Sequence, residues 1–416
     1  MPQRRQDASQ QVRGRRDECL PELRNQSKNH AKFGSAVLPP KSFIPVAAPV
    51  IGDLELKYVT DAVRSGWVSS IGPYLERFER GFAAFCGARH GIAVCNGTVA
   101  IHLALRALGV GPGDEVIVPN LTFAATAHAV LETGAEPVFV DASPESWCLD
   151  PVATARALSP KTRAIIPVHL YGHPADMTAL AGLATEHGLH LVEDAAEAHG
   201  ARVGVSRVGA LGTVGAFSFY GNKLMTTGEG GMLVTNDDAL AERIRFLKDH
   251  GMSKERRYFH TELAFNYRMT NVQAALGVAQ LEQVERFLEQ KRRIIQWYRQ
   301  RLSSRTDVQL NPSLDGYENA YWMASVVLGA KVPLARDAVA SMLKAAGIDT
   351  RPFFVPMTEL PHLSRYRAVG VEGPGCPVAA RLGSRGLNLP SGCSLSEADV
   401  DRVCEALVQA LSLPVQ

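Results

Sequence analysis

The sequence predicts an α/β protein whose main sheet is mostly parallel and covered by helices on both faces. Two observations support this class. Between residues 90 and 240, short apolar runs such as 115–118 alternate with helical segments such as 151–158, an order typical of parallel strands joined by crossover helices. After about residue 320 the order changes to a mixture of strands and helices. We therefore expect a large α/β domain followed by a smaller α+β domain.

The composition is that of an ordinary folded chain. The sequence has 416 residues, of which 46% are hydrophobic and 21% are charged, and this length is enough for a large core. The formal net charge of +2 gives no reason to expect nucleic acid or an acidic membrane as a partner. No apolar run approaches the ~20 residues that span a bilayer, and the N-terminus has no apolar signal core. We expect a cytoplasmic protein.

The cysteines and histidines give little support for a metal site. The seven cysteines form no Cys-x-x-Cys pair and no cluster with histidine at metal-ligand spacing, so we expect reduced thiols. His169 and His173 leave a metal or acid–base role open, but no third ligand lies at suitable spacing.

Three regions are predicted along the chain. Residues 1–42 carry many arginines and lysines and few large apolar side chains, which predicts a disordered basic arm. A nucleic-acid-binding arm or a transit peptide is an alternative that the interspersed acidic residues weaken. We expect the large domain to span residues 43–300 and the small domain 301–416.

Apolar spacing predicts the main helices. Leu75, Phe78 and Phe82 recur at helical spacing and predict a helix that faces the core. One long helix is predicted from about Thr270 to Leu302, where it links the two domains.

A short buried strand at 92–95 leads into Asn96-Gly97-Thr98, which opens a helix. Glycine lets the backbone approach a ligand, and the first N–H groups of a helix have no acceptor within the helix. Phosphate suits such a place, although many junctions of this kind are only capped turns.

Two reactive side chains follow predicted strand ends. Lys223 lies in a glycine-rich stretch after an apolar strand that begins at Gly215, and Asp194 ends a β-rich run from Leu189. Ligands bind at the carboxyl ends of strands in open α/β sheets. Taken singly, Lys223 is a surface lysine on a turn and Asp194 a helix cap. Taken together, they fit a lysine nucleophile and a carboxylate that keeps a pyridine nitrogen protonated.

The segments Glu193-Asp-Ala-Ala-Glu197-Ala-His199-Gly and Ser218-Phe-Tyr-Gly-Asn-Lys223 resemble those of sugar aminotransferases that depend on pyridoxal phosphate, of the DegT/DnrJ/EryC1/StrS type. The resemblance extends from about Ile44 to the C-terminal helix. It implies fold type I with a mostly parallel seven-stranded sheet, pyridoxal 5′-phosphate as cofactor, and L-glutamate and a nucleotide-linked keto sugar as substrates. It also implies a homodimer with shared active sites.

The resemblance further implies roles for single residues. Lys223 is the catalytic lysine, Asp194 contacts the ring nitrogen, and Phe123, otherwise a core aromatic, stacks on the ring. Glu197, where many relatives carry Gln, lies near the ring hydroxyl. The implied phosphate ligands are Gly97, Thr98, Ser218 and, from the neighbouring subunit, Asn266. The candidate substrate contacts are Tyr220, Arg257, His260 and Arg351.

The resemblance implies one acceptor and leaves several others open. Gly221-Asn222-Lys223 after Phe-Tyr is similar to the perosamine-forming branch of the family, which implies GDP-4-keto-6-deoxymannose. A 3-keto sugar, a cyclitol ketone and a ligand-binding protein without turnover stay open. Lys223 argues against the sugar-dehydrating branch, which has His there. No Gly-x-Gly-x-x-Gly follows an early strand, which argues against a dinucleotide dehydrogenase.

Overall fold

A computed structural model describes residues 43–412, so the arm predicted at 1–42 lies outside the described residues. The α-helices of the described part are α1 Asp53–Arg64, α2 Pro73–Cys86, α3 Gly97–Ala107, α4 Ala125–Leu131, α5 Pro151–Ala157, α6 Met177–His187, α7 Asp238–Lys248, α8 Asn271–Leu281, α9 Val284–Leu302, α10 Arg336–Ala345, α11 Pro377–Arg385 and α12 Glu397–Leu411. Its strands are β1 His90–Val94, β2 Glu115–Pro119, β3 Glu136–Val140, β4 Thr162–Ile165, β5 His190–Asp194, β6 Arg202–Val203, β7 Ser206–Arg207, β8 Val214–Ser218, β9 Gly231–Thr235, β10 Val308–Leu310, β11 Tyr317–Glu318, β12 Ala324–Leu328, β13 Arg351–Pro352, β14 Ala368–Val369 and β15 Gly386–Leu389. None of these helices has both the length and the apolar composition needed to cross a membrane.

The largest sheet has eight strands in the order β1-β9-β8-β5-β4-β2-β3-β14. The pairs from β8 to β14 are all parallel, whereas β9 runs antiparallel to both β1 and β8. This arrangement confirms the predicted α/β class and the mostly parallel sheet. Seven of the strands come from residues 90–235, and β14 adds an eighth from near the end of the chain.

Helices cover both faces of this sheet, which explains why its strands are apolar throughout. On β2, Val116 and Val118 face a buried cluster that includes Leu103 of α3, while Ile117 faces a cluster that includes Leu180 of α6. Successive side chains of a strand point to opposite faces, so both faces need apolar residues when both are covered. The buried sheet provides a rigid base for the strand ends.

A second, antiparallel sheet has the strand order β10-β12-β15-β13. It packs on α9, α10 and α12 around an apolar cluster that includes Val326 and Val403. A small third sheet joins β11, β6 and β7. The predicted domain boundary at residue 300 stays a prediction; β14, from the range beyond it, pairs with β3 of the large sheet.

The long helix predicted at 270–302 is wrong, because two helices, α8 and α9, occupy this range. At the break, the Gln283 side-chain amide donates to the Ala279 carbonyl at 3.0 Å and to the Glu55 carboxylate at 2.6 Å. The Gln283 backbone N–H bonds to Gln280 instead, at 3.1 Å. The helix is interrupted at residues 282 and 283, where Gln283 contacts Glu55 of α1, and apolar spacing carries no signal of this contact.

Candidate active site

The carboxyl ends of β5 and β8 and the first turn of α3 meet at one edge of the large sheet. β5 ends at Asp194 and pairs in parallel with β8, which ends at Ser218. Gly97 opens α3, and a Cβ placed on it would lie 2.7 Å from the Cβ of Ser218. Only glycine therefore fits at residue 97, and it brings the helix N-terminus, with Thr98, against the Ser218 side chain. We call Gly97, Asp194, Glu197, Ser218 and Lys223 the strand-end cluster.

Asp194 is buried and held by two hydrogen bonds. The Thr126 hydroxyl on α4 donates to Oδ2 at 2.8 Å, and the Ala196 N–H donates to Oδ1 at 3.2 Å. Burial raises the pKa of Asp194, and the Thr126 hydroxyl, the Ala196 N–H and the charge of Lys223 oppose that rise. A further cationic N–H partner would therefore stabilise the charged form of this buried carboxylate.

Lys223, whose side chain is 12% exposed, pairs with the buried Glu197. Nζ of Lys223 lies 3.6 Å from Oε1 of Glu197, and the N–H of Tyr171 donates to Oε2 at 2.8 Å. Burial raises the pKa of Glu197 to about 7, against the opposing charge of Lys223. Burial also lowers the pKa of Lys223, opposed by Glu197 and Asp194. A buried amine with a lowered pKa is the form that a lysine nucleophile needs.

Trp322 lies against the same amine and was missed by the sequence analysis. Its ring centroid lies 3.7 Å from Nζ of Lys223, and its indole N–H donates to the carbonyl of Asn222 at 2.8 Å. Nothing in its sequence neighbourhood indicates a contact with a residue a hundred positions earlier.

Two exposed aromatic rings follow strands of the large sheet, one after β2 and one after β8. The side chain of Phe123, just before α4, is 60% exposed, and that of Tyr220, just after β8, is 51% exposed. The Phe123 ring also packs on Phe354, with centroids 5.7 Å apart. The alternative of a buried core aromatic at Phe123 therefore does not apply, and its exposed ring face can take a flat ligand.

The remaining predicted residues do not join the strand-end cluster within one chain. Arg257, His260 and Asn266 lie on the segment 252–266, where all three are exposed. Asn266 accepts from Arg268 Nε at 2.9 Å, and His260 Nδ1 lies 2.8 Å from the His250 carbonyl.

Arg351 is also outside the cluster. It lies on β13 at the edge of the second sheet, where its side chain is 64% exposed and 3.6 Å from Asp349.

The histidines that left a metal role open have structural partners. Nδ1 of His169 accepts the N–H of Ala175 at 3.0 Å, so Nε2 carries the proton that faces Glu193 at 3.1 Å. His173 places Nδ1 2.7 Å from the Pro174 carbonyl. His169 therefore acts as a hydrogen-bond bridge between β5 and the preceding loop.

The residues present fit pyridoxal phosphate. Gly97 and Ser218 line a place where a side chain at residue 97 is excluded, which suits a phosphate at a helix N-terminus. Asp194 is a buried carboxylate that a cationic N–H partner would stabilise, and Lys223 is an amine whose pKa burial lowers.

Comparison with known proteins agrees with this geometry. The sequence model of the DegT/DnrJ/EryC1/StrS aminotransferase family matches residues 49–408. The GDP-perosamine synthase of Caulobacter vibrioides is 45% identical over 370 residues, which cover 88% of this chain and 98% of that protein. The GDP-perosamine synthase of Escherichia coli O157:H7 is 42% identical over 366 residues, with the same coverage of 88% and 98%. The solved structure of the aminotransferase TlmJ from Streptoalloteichus hindustanus has a TM-score of 0.83 and 33% identity, covering 89% of this chain and 99% of that one.

Proposed function

The chain belongs to the DegT/DnrJ/EryC1/StrS aminotransferase family, a family of sugar aminotransferases that depend on pyridoxal phosphate, and from this premise we propose its reaction. It moves the amino group of L-glutamate to the keto carbon of GDP-4-keto-6-deoxymannose, giving GDP-perosamine, as a cytoplasmic homodimer. The observation that supports the chemistry is the Lys223 amine, which is only 12% exposed and lies 3.6 Å from Glu197 at the shared edge of β5 and β8. Two relatives with the name GDP-perosamine synthase support the acceptor.

The strand-end cluster provides the groups that hold the cofactor. Pyridoxal phosphate, when bound, supplies an aldehyde that takes up amines and a ring that draws electrons from the reacting carbon. We assign its phosphate to Gly97, Thr98 and Ser218, its ring nitrogen to Asp194 and its ring face to Phe123. The Thr126 hydroxyl fixes the orientation of the Asp194 carboxylate, which would hold that nitrogen.

Lys223 moves the protons of both half-reactions. Its Nζ takes the proton from Cα of glutamate and returns a proton to the sugar carbon, which requires an amine that is free near neutral pH. Burial lowers the pKa of Lys223 in that direction. Glu197, fixed by the Tyr171 N–H, places its Oε1 on the same amine and stabilises the ammonium after it has taken the proton.

The second subunit completes the site. The 252–266 segment exposes Tyr258 at 74% and Leu263 at 79%, and large exposed apolar side chains in one segment are typical of an interface. We assign Asn266 to the phosphate of the partner's site. Tyr220, Arg257, His260 and Arg351 are the candidate contacts of the substrates.

An assay of acceptors tests the proposal. The purified protein is loaded with pyridoxal phosphate and incubated with L-glutamate and one acceptor at a time, with mass detection of the product. The panel holds GDP-4-keto-6-deoxymannose, a dTDP-linked 4-keto sugar, a UDP-linked 3-keto sugar and a cyclitol ketone. We expect fast amination of the GDP sugar alone. Preferred amination of another acceptor would overturn the substrate assignment, and no amination of any acceptor would count against the enzyme.

A further inference from the structure

We propose that Trp322 positions the amine of Lys223 and that the buried Lys291 of α9 in turn positions Trp322. The first contact joins the two sheets at the reacting atom, since Trp322 precedes β12 of the second sheet and Lys223 follows β8 of the large one. The inference rests on the proposed function for the identity of the reacting amine.

The indole of Trp322 is fixed at both its face and its edge. Only 6% of Trp322 is exposed, its face lies over Nζ of Lys223, and its edge N–H bonds to the carbonyl of Asn222, the residue before Lys223. Tyr171 stacks nearly parallel to the indole, with centroids 6.2 Å apart and an angle of 21°. The ring therefore moves with the turn that carries Lys223 and closes one side of the amine to water.

The backbone before Trp322 is held separately. Tyr321 has a φ of 52°, and the Asn319 side chain accepts its N–H at 2.6 Å. A Cβ on Gly172 would lie 2.6 Å from the Tyr321 nitrogen and 2.8 Å from that of Trp322. These contacts fix the amide side of Trp322 and leave its carbonyl to another partner.

Lys291 is that partner. Its Nζ donates to the carbonyl of Trp322 at 2.8 Å and to the carbonyl of Ser391 at 2.5 Å. Only 4% of Lys291 is exposed. Within residues 43–412, no carboxylate lies within ion-pair distance of its amine or influences its pKa. Burial lowers the pKa of Lys291. A buried ammonium is costly unless hydrogen bonds satisfy it, so Lys291 binds both carbonyls tightly and ties Trp322 and the end of β15 to α9.

The contacts from Lys291 to Trp322 and from Trp322 to Lys223 hold the amine in place while Lys223 moves a proton. A cation over an indole face is attracted by the ring, so the ammonium of Lys223 stays beside Trp322 after it has taken a proton. The amine then returns the proton from the same position, because it has not rotated into water. Trp322 is thus a positioning residue for Lys223, and Lys291 acts through Trp322.

Chemical labelling of amines tests the shielding without any turnover. The full-length chain, freed of cofactor, is treated with trace acetic anhydride, and the acetylation of Lys223 is measured by mass spectrometry relative to the exposed Lys57. We expect labelling of Lys223 to rise about 10-fold in Trp322→Leu and about threefold in Lys291→Met. These increases correspond to the free energy of a lost cation–π contact. The same change at an exposed lysine, Lys344→Met, leaves it unchanged.

The half-reaction of the cofactor-loaded enzyme tests the positioning. On rapid mixing with L-glutamate, we expect the rate of amino transfer to fall about 10-fold in Trp322→Leu and in Lys291→Met, with glutamate affinity changed less than about threefold. Trp322→Phe keeps the ring but not the N–H donor, and we expect an intermediate rate. This variant keeps the test decisive if Lys291→Met does not fold.

Wild-type labelling and a wild-type half-reaction in folded Trp322→Leu and Trp322→Phe would overturn the proposal. Failure of the proposed function gives a different pattern. In that case the wild-type chain accepts no amino group from L-glutamate, while the labelling differences between the variants persist.

Discussion

The strand-end cluster and the 252–266 segment both hold residues that the sequence predicts for one site, but different forces fix their side chains. In the cluster, the pairing of β5 with β8 and the exclusion of any side chain at Gly97 bring the groups together. In the segment, the exposed Asn266 and His260 side chains bond to Arg268 and to the His250 carbonyl. The groups of the cluster are brought together within one chain, whereas we propose that the segment acts when a second copy of the chain covers it.

The largest expected effect comes from the cluster. Lys223→Ala removes the amine that moves the proton, and we expect the transamination rate to fall about 10⁴-fold or more. The measurement is product formation from L-glutamate and the GDP-linked keto sugar. Lys344→Ala, at an exposed position on α10, is the matched control and keeps the wild-type rate. A Lys223→Ala rate within tenfold of wild type would contradict the assignment.

A second change in the cluster tests the ring-nitrogen contact. Asp194→Asn keeps the shape but removes the charge that holds a pyridinium, so we expect the rate to fall about 10²- to 10³-fold. The Thr126 hydroxyl donates to Asp194 at 2.8 Å, and Thr126→Val, which only loosens the carboxylate, gives a smaller loss. An Asp194→Asn enzyme with full activity would place the ring elsewhere.

A change in the 252–266 segment should have a smaller effect than changes in the cluster. Asn266→Ala removes one phosphate contact, and we expect cofactor affinity to fall about tenfold. Mixing Asn266→Ala with Lys223→Ala and letting subunits exchange then separates the two models. If Asn266 serves the partner's site, the mixed dimer has one intact site and activity rises above the average of the separate samples. Activity that stays at that average would mean that the segment acts within its own chain or not at all.

The smallest expected change in rate comes from Glu197→Gln, which tests the pairing of Glu197 with Lys223. Glu197→Gln keeps the hydrogen bond from Tyr171 but removes a group whose pKa burial raises to about 7. We expect the rate at the best pH to change less than about fivefold. The pH–rate profile of the half-reaction should lose an ionisation near pH 7. Identical profiles for the two enzymes would show that Glu197 does not titrate beside the amine.

The same pair predicts how stability depends on pH. The folded pKa of Glu197, about 7, lies above its ordinary value of 4.5. Its contribution to stability is therefore present below pH 4.5 and is lost as the pH rises through 7. We expect Glu197→Gln to gain stability relative to wild type, by about 2 kcal/mol, between pH 5 and pH 8. Urea unfolding at the two pH values measures this gain, and an equal change in both proteins would contradict it.

The sequence predicts that the parts of the cluster lie close together, because they follow strand ends and parallel strands in one sheet end at the same edge. It cannot predict Thr126 or Trp322, whose contacts join residues 68 and 100 positions apart through tertiary packing. The break between α8 and α9 was missed for the same reason, since the Gln283 amide turns to Glu55 on a distant helix. Local spacing shows which face of an element is apolar, but not which partner that face meets.

β14 makes the sheet that carries the cluster depend on the far end of the polypeptide. Ala368 and Val369 hydrogen-bond along β3 and cover its outer edge. A protein truncated after residue 300 would leave that edge unpaired, and open edges recruit strands from other molecules. Such a fragment should precipitate rather than behave as a free-standing unit. On the ribosome, the large sheet likewise cannot be finished until residue 369 has emerged from the exit tunnel.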